Sequence, residues 1–313
     1  MPKSGTVALV GRPNAGKSTL MNRLLAEKLA IVSDKPQTTR HRLVGILSAP
    51  QGQMVFFDTP GIHKPLHRLN RKMLEEAMGA LQEADVIVML RDAAEKFGKG
   101  EAYLLELVSR FPQPKIVVLN KIDLVAKNRL LPEIARYAES GHFTAIVPLS
   151  AATGDGADRL LSELWSLLPE GEPHYDAELL TVHTERFLVA ERIREKVLEA
   201  TRQELPFTTA VLIESWEDPG PERAIIIGAA LLVERDSHKG IVIGKRGATI
   251  KAIGSAARAD LEEFLDRKVH LDLRVRHEPE WREDSRLLAE LDRGLHAAPG
   301  DLAPGEDEPD DEG

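Results

Sequence analysis

The sequence of 313 residues has no cysteine, few aromatic residues (4%) and no long hydrophobic run. Without thiols the chain forms no disulfide, no zinc–thiolate site and no covalent thiol intermediate, which fits the cytosol. The longest uncharged apolar run, Ala224–Val233, has ten residues, about half the length of a membrane-spanning helix. Met1-Pro-Lys-Ser4 leads into an apolar segment without a signal region. We therefore expect a cytoplasmic protein without a transmembrane helix.

The net charge of −9 is unevenly distributed along the chain. Residues 297–313 contain seven acidic residues and no basic residue, so the rest of the chain has a net charge of only −2. Between Arg235 and Arg276, ten basic residues stand against six acidic ones. This segment is suited to an anionic partner, and a mixed solvated helix surface is the alternative. The acidic end is interpreted as a solubilising extension, or as an electrostatic shield for the basic segment.

The hydrophobic pattern divides the chain into two domains. Residues 1–169 alternate short β-rich runs with helical periodicity, which predicts an α/β fold with a doubly wound, mostly parallel six-stranded sheet. A polar linker at 170–180 precedes a smaller α+β domain at 181–293, in the order helix, strand, strand, glycine turn, helix, strand. A last short helix is predicted at Trp281–Leu291. Residues 294–313 have too little apolar surface to fold and are predicted to be a disordered acidic tail.

Gly11-Arg-Pro-Asn-Ala-Gly-Lys-Ser18 has the form of a phosphate-binding loop between a predicted strand and a predicted helix. In such a loop the backbone amides surround phosphates, Lys17 supplies positive charge to the β- and γ-phosphates, and the Ser18 hydroxyl can bind Mg²⁺. For this motif alone, a glycine turn that opens an ordinary helix is the alternative. Asp58-Thr-Pro-Gly61 ends the third predicted strand, where a carboxylate can hold the metal through water and an amide can meet the γ-phosphate.

Asn120-Lys-Ile-Asp123 and Ser150-Ala151 end the fifth and sixth predicted strands. A carboxylate at this place can accept two hydrogen bonds from the N1 and N2 donors of guanine, and adenine offers neither donor. At about 1.5–3 kcal/mol for each charged hydrogen bond, the pair is worth roughly 3–6 kcal/mol, or two to four decades of preference. Four motifs in this order, each at the carboxyl end of a strand, predict a site for GTP rather than ATP.

The four motifs resemble the translation-factor class of GTPases and, more narrowly, the Era family. The segments that carry this resemblance, from about Val7 to Leu291, are Gly11–Thr19, Pro36–His41, Asp58–Gly61, Asn120–Asp123, Arg186–Glu191, Ile193–Lys196, Glu204–Pro206 and a second glycine loop. It implies hydrolysis of GTP to GDP and phosphate with Mg²⁺ as cofactor. It also places Thr38 and Thr39 in the first switch. We assign Mg²⁺ to Thr39, because the residue before the arginine occupies that place in related GTPases. Thr38 is the alternative, and plain loop hydroxyls are another.

The site residues expected from the motifs and the resemblance fall into three groups. The catalytic residues are Lys17, Thr39 and Gly61. The metal ligands are Ser18, Thr39 and, through water, Asp58. The GTP-binding residues are Gly11, Arg12, Pro13, Asn14, Ala15, Gly16, Lys17, Ser18, Thr19, Thr38, Thr39, Asp58, Thr59, Pro60, Gly61, Asn120, Lys121, Asp123, Ser150 and Ala151.

The second glycine loop, Gly244-Lys-Arg-Gly247, lies in the basic segment. Ile241-Val-Ile243 precedes it, and Ile250 and Ile253 follow at helical spacing. This layout is typical of a KH module, whose GxxG loop clamps the backbone of about four single-stranded nucleotides. The element order indicates the type II variant, and a helix-capping turn with surface lysines is the alternative. The predicted RNA-binding residues are Gly244, Lys245, Arg246, Gly247, Lys251, Lys239 and Arg258.

The resemblance implies a monomer that binds single-stranded RNA near the 3′ end of 16S ribosomal RNA and acts in assembly of the 30S ribosomal subunit. Two other functions stay open. The first is a signalling GTPase that is peripheral on the inner face of the cell membrane and has incidental RNA affinity. The sequence has no lipidation motif and no basic amphipathic helix to favour it. The second is an RNA-binding protein that uses GTP only as a structural ligand.

We expect slow intrinsic hydrolysis, because Ile62 stands where Ras-like GTPases have the glutamine that orients the attacking water. An alkyl side chain cannot position water, so turnover depends on another group. One candidate is a potassium ion held partly by Asn14, as in similar GTPases with asparagine at that place; an Asn14 that only braces the loop is the alternative. The potassium ion predicts faster GTP turnover in potassium than in sodium buffer, and equal rates would exclude it.

Overall fold

The computed structural model describes residues 1–35, 38–62, 68–201, 205–292 and 295, without the side chains of 206 and 207. It has a six-stranded and a three-stranded sheet. The first unit consists of β1 (Lys3–Gly11), α1 (Lys17–Leu25), β2 (Leu43–Ala49), β3 (Gly52–Asp58), α2 (Arg68–Glu83), β4 (Val86–Asp92), α3 (Lys99–Ser109), β5 (Lys115–Asn120), α4 (Leu130–Ser140), β6 (Ala145–Pro148) and α5 (Ala157–Leu167). The second consists of α6 (Glu185–Ala200), α7 (Leu205–Thr208), β7 (Thr209–Glu217), β8 (Ile225–Val233), α8 (Asp236–Ile243), α9 (Ala248–Phe264), β9 (Val269–His277) and α10 (Ser285–Leu291).

The strands of the first unit follow the order β2-β3-β1-β4-β5-β6, with β2 antiparallel to β3 and the other pairs parallel. Val7 and Leu9 of β1 pack against α1 and α5, whereas Ala8 and Val10 pack on the opposite face with α2, α3 and α4. Every residue of β3, β4 and β5 is buried, as a sheet covered on both faces requires. The predicted fold class is therefore confirmed. Because β3 and β4 flank β1, the carboxyl end of β1 lies where the strand order reverses.

The second unit has the sheet order β7-β8-β9, with β7 and β8 antiparallel and β8 and β9 parallel. α6 and α9 cover one face through Ile193, Ile253 and Ala257. This is the predicted type II KH order, with one addition. A helix, α8, lies between β8 and the glycine loop, where the sequence pattern indicated only a turn. Within the described part of the chain, no helix combines the length and the apolarity that crossing a bilayer requires.

The predicted start of the last helix at Trp281 is wrong, because α10 begins at Ser285. Asp284 caps it, since its carboxylate accepts hydrogen bonds from the amides of Arg286 at 2.8 Å and Leu287 at 3.3 Å. Trp281 instead packs between the units, where its indole N–H donates to the Thr208 carbonyl at 3.0 Å. Trp281 is apolar because it packs in this cluster, and it is not part of the apolar face of a helix.

The predicted linker lies along the first unit. The buried side chain of Gln53 donates to the carbonyl of Tyr175 at 2.9 Å and accepts from the amides of His174 and Tyr175. The domain boundaries drawn from the sequence stay a prediction. The predicted tail, 294–313, lies outside the described residues apart from Leu295, as do Pro36, Gln37 and Glu204 of the motifs.

Candidate nucleotide and RNA sites

The phosphate-binding loop leaves β1 at the centre of the sheet and enters α1. Asn14 and Gly16 have positive φ angles of 62° and 93°, which turn the chain back towards the helix. A side chain at Gly16 would overlap the side-chain nitrogen Nδ2 of Asn120. The first turn of α1 has backbone N–H groups without helical partners and the positive end of the helix dipole, both of which favour an anion.

Three predicted metal ligands meet at the end of this loop. Ser18 Oγ donates to Asp58 Oδ2 at 2.6 Å, Thr39 Oγ1 donates to the same oxygen at 3.1 Å, and the two hydroxyls are 2.9 Å apart. Asp58 is buried, and its Oδ1 has no hydrogen-bond partner within the described residues. Two hydroxyls beside an incompletely satisfied carboxylate form an oxygen donor set that fits Mg²⁺. The structure brings Thr39 to this cluster, whereas Thr38 Oγ1 donates to the Lys35 carbonyl at 2.7 Å.

The charged side chains of the site, Lys17 and Asp58, are buried, and burial disfavours their charged forms. Burial lowers the pKa of Lys17, and the nearby Asp58 offsets only part of this effect. Burial likewise raises the pKa of Asp58, against the opposing effects of Lys17 and the two hydroxyl hydrogen bonds. Phosphate beside Lys17 and a cation beside Asp58 would compensate both charges. The protein thus buries charge that a nucleotide and a metal ion stabilise.

A cavity that opens to solvent lies above the loop. Nine predicted GTP-binding residues line it: Pro13, Asn14, Gly16, Lys17, Ser18, Thr19, Thr38, Thr39 and Gly61. Ile31, Val32 and Ser33 also line it and were not predicted, because an apolar pair followed by serine carries no recognisable phosphate signal. Two predicted GTP-binding residues, Arg12 and Thr59, do not line the cavity and contact other protein groups instead. Arg12 pairs with Glu95 at 3.0 Å, and the Thr59 hydroxyl donates to the Leu9 carbonyl at 2.8 Å.

Gly61 lines the cavity beside the loop, and Ile62 follows it in the chain. A Cβ atom at Gly61 would lie 2.7 Å from Pro13 N, so only glycine fits against the loop. Ile62 donates its amide to the Gly11 carbonyl at 3.1 Å, and its side chain is buried in the apolar core. The Asn14 side chain donates to the Asp34 carbonyl at 2.8 Å, which is the contact expected of a loop brace.

The predicted base-binding residues come together beside the phosphate loop. Asn120 donates to the Ala15 carbonyl at 2.8 Å and accepts from the Ala151 amide at 2.9 Å, so it joins the phosphate loop to the loop after β6. Lys121 pairs with Asp92 at 2.7 Å, and the Asp123 side chain is exposed. Ser150 is buried, and its amide donates to the Asp155 carbonyl at 2.8 Å. An exposed carboxylate next to a braced loop can accept from the guanine edge.

The second unit holds the switch segment, which we define as the described residues 31–35 and 38–41. Glu195 of α6 accepts from the Val32 amide at 2.9 Å, and Arg194 of α6 donates to the Thr38 carbonyl. Arg40 donates to the Thr209 carbonyl of β7 at 2.8 Å. Sequence reasoning missed these three side chains. The available signal was α6 itself, whose buried residues include charged ones, as expected of a helix packed between two units.

The second glycine loop lies at the start of α9. Gly244 and Gly247 have φ angles of 74° and 78°, and a side chain at Gly244 would overlap Thr249. Lys245 and Arg246 are exposed at the tip. An open groove runs between α9 and β9, lined by Ile250, Lys251, Gly254, Ser255, Arg258, His270, Leu271 and Leu273. Lys251 and Arg258 therefore belong to the groove, and the sequence had not indicated His270. Lys239 lies on α8, outside the described lining.

We expect Asp58→Asn to stabilise the nucleotide-free protein at neutral pH. Because the folded-state pKa of Asp58 is raised, its contribution to stability is fully present below the ordinary aspartate pKa and is lost as pH rises through the raised value. Asparagine avoids this loss, so its advantage over the parent should shrink as pH falls. Melting temperatures of both proteins between about pH 4 and 8, without Mg²⁺ or nucleotide, check this sign.

The same variant should bind Mg²⁺ about 10–100-fold more weakly in the presence of nucleotide, because the carboxylate that orients the metal shell is gone. Asp158→Asn, at an exposed aspartate of α5, is the matched control. An Asp58→Asn protein with parental metal affinity would contradict the assignment of the cluster.

Comparisons with known proteins match both units of the chain. A family described as 50S ribosome-binding GTPase matches residues 6–121, and a KH domain family matches residues 204–282. The chain is 47% identical to GTPase Era of Geobacter metallireducens and 48% identical to GTPase Era of Geotalea uraniireducens, in each case over 92% of this chain and 97% of the relative.

Two solved structures are similar over nearly the whole chain. One is Era in complex with MgGDPNP and nucleotides 1506–1542 of 16S ribosomal RNA, with a TM-score of 0.90 and 38% identity. The other is an Aquifex aeolicus Era variant bound to GDP·AlF4⁻, with a TM-score of 0.89 and 38% identity. Each alignment covers 94% of this chain and 100% of the other. With identities this high over this length, the chain belongs to the Era family of GTPases.

Proposed function

We propose that the protein binds and hydrolyses GTP, binds single-stranded 16S ribosomal RNA near its 3′ end through the KH unit, and acts in 30S subunit assembly. It does so as a cytoplasmic monomer. The observation that carries the proposal is the presence, in one chain, of the Ser18–Thr39–Asp58 cluster and the groove beside Gly244–Gly247. The Era structure with MgGDPNP and 16S RNA supports the same pairing of ligands.

We infer a task in phosphoryl transfer for each part of the nucleotide site. Ser18, Thr39 and, through water, Asp58 would hold Mg²⁺, which would supply charge that neutralises the β- and γ-phosphate oxygens. Lys17 lines the same cavity and would stabilise charge that develops on the phosphates. Gly61 also lines the cavity, and its amide would donate to the γ-phosphate. Because the Ile62 side chain is buried in the core, it does not orient the attacking water, and we expect slow intrinsic hydrolysis.

The two sites are linked through the switch segment. Thr39 joins the metal cluster, and its neighbours Thr38 and Arg40 bond to α6 and β7 of the KH unit. A movement of Thr39 on GTP hydrolysis therefore changes the contacts that hold the KH unit. We propose that the nucleotide state sets when the groove holds RNA.

The membrane-associated alternative is tested by flotation with liposomes of anionic lipid, where flotation without RNA would favour it. The structural-ligand alternative is tested with Lys17→Ala, since it predicts loss of GTP binding with full RNA affinity and full function. Neither alternative accounts for the contacts of Thr38 and Arg40 with the KH unit. We therefore favour ribosome assembly.

The double variant Lys245→Asp/Arg246→Asp should lose RNA binding and keep GTP affinity. Both cations lie at the exposed tip of the loop in the KH unit, whereas Lys17 and Asp58 belong to the other unit. The residual binding should also depend less on salt, with the slope of log K against log salt reduced by about 0.7 for each lost phosphate contact. Filter binding and GTP titration measure the two affinities, and unchanged RNA binding would refute the assignment.

Arg194→Ala should uncouple the two sites. A linkage of the usual strength makes RNA bind about 5–150-fold differently to the GTP-analogue and GDP states of the parent, and this ratio should fall towards one in the variant. RNA affinity measured in both nucleotide states gives the ratio. Arg186→Ala, at an exposed position of the same helix, is the control. A parental ratio in Arg194→Ala would exclude this contact as the link.

A further inference from the structure

Gly254 lies in the interior of α9, as the seventh residue of a 17-residue helix. Glycine in such a place makes a helix less stable than alanine would, because it loses more backbone freedom on folding. Glycine is commonly required at a position for one of two structural reasons: the backbone has a positive φ angle, or a neighbouring atom leaves no room for a side chain. Gly244 has both, with a φ of 74° and Thr249 in the way of a side chain.

Neither reason applies to Gly254. Its backbone is helical, and a Cβ atom added there would have no atom of the described residues within 4 Å. Alanine would therefore fit the folded chain without strain. The glycine lowers the stability of α9 and provides open space at its surface.

That open space is part of the groove. Gly254 lines it between Lys251 and Arg258, which lie three and four residues away and so share its helix face. Leu271 and Leu273 of β9 form the opposite, apolar side. At the centre of the groove, the helix backbone is thus bare, with a cation on either side along the helix and an apolar wall across from it.

We propose that Gly254 is a contact residue for RNA, against which one nucleotide packs flat on the bare helix backbone. This inference rests on the proposed RNA-binding function of the groove. Glycine permits close approach of backbone to a ligand, and the face of a base or ribose can contact such a surface with any base. Lys251 and Arg258 then lie where they can meet the phosphates on either side of that nucleotide. A methyl group on residue 254 would occupy the space of the nucleotide.

The test is Gly254→Ala in the full chain, with opposite expected effects on stability and binding. The melting temperature of the variant should rise by ~2–4 °C, because alanine favours the helix and meets no clash. Its affinity for a synthetic RNA with the sequence of nucleotides 1506–1542 of 16S ribosomal RNA should fall roughly tenfold. GTP affinity should not change. Gly254→Val, with a larger side chain, should bind this RNA more weakly still.

Gly79→Ala is the matched control. Gly79 lies inside α2, where an added Cβ atom would have only Glu83 Oε1 nearby among the described residues, at 3.9 Å. This substitution should stabilise the chain to a similar degree and leave RNA affinity at the parental value. The comparison then separates the effect of greater stability on RNA affinity from the effect of lost space in the groove.

The outcomes distinguish this inference from the function on which it rests. If the parent binds the RNA and the Lys245→Asp/Arg246→Asp variant does not, but Gly254→Ala binds as the parent does, the contact is refuted and the groove keeps its function. A lower melting temperature for Gly254→Ala would also refute it, because glycine would then serve the fold. A parent that fails to bind the RNA overturns both proposals.

Discussion

The buried Asp58 carboxylate is the group on which the arrangement of the nucleotide site depends. Its Oδ2 accepts hydrogen bonds from Ser18 on α1 and Thr39 in the switch segment, so one side chain joins the end of β3 to two other parts of the chain. A buried carboxylate needs compensating charge, and Lys17 offsets only part of the effect of burial on its pKa. The switch segment thus takes its position from a charge that a bound cation would stabilise.

The second unit contacts the switch segment and the rest of the first unit through hydrogen bonds and ion pairs. The Lys28 side chain lies 2.7 Å from Glu195 and 2.8 Å from Asp260, and its carbonyl accepts a hydrogen bond from Arg192 at 2.8 Å. Ion pairs of this kind add little net stability but require one geometry. They therefore hold one arrangement of the units without making it permanent. Trp281 and its apolar neighbours anchor the other end of the contact.

Much of the fold followed from local patterns. The alternation of apolar strands with amphipathic helices predicted the six-stranded sheet, and the motifs lie at its strand ends because their loops connect buried strands to helices. The errors also have local causes. Trp281 resembled a helical residue because it is apolar, whereas Asp284 supplies the cap that starts α10. The helix α8 was missed because Lys239 and Gly240 interrupt its apolar pattern.

For the nucleotide site, local pattern was sufficient to identify the phosphate loop, the strand-end carboxylate and the base-recognition segments, since each needs only the backbone geometry of a few consecutive residues. Long-range packing was required to bring Thr39 rather than Thr38 to Asp58, and to place Arg194 and Glu195 of α6 on the switch segment. These contacts join residues 156 and 163 positions apart. The local sequence pattern does not predict these contacts, because they depend on how the two units pack against each other.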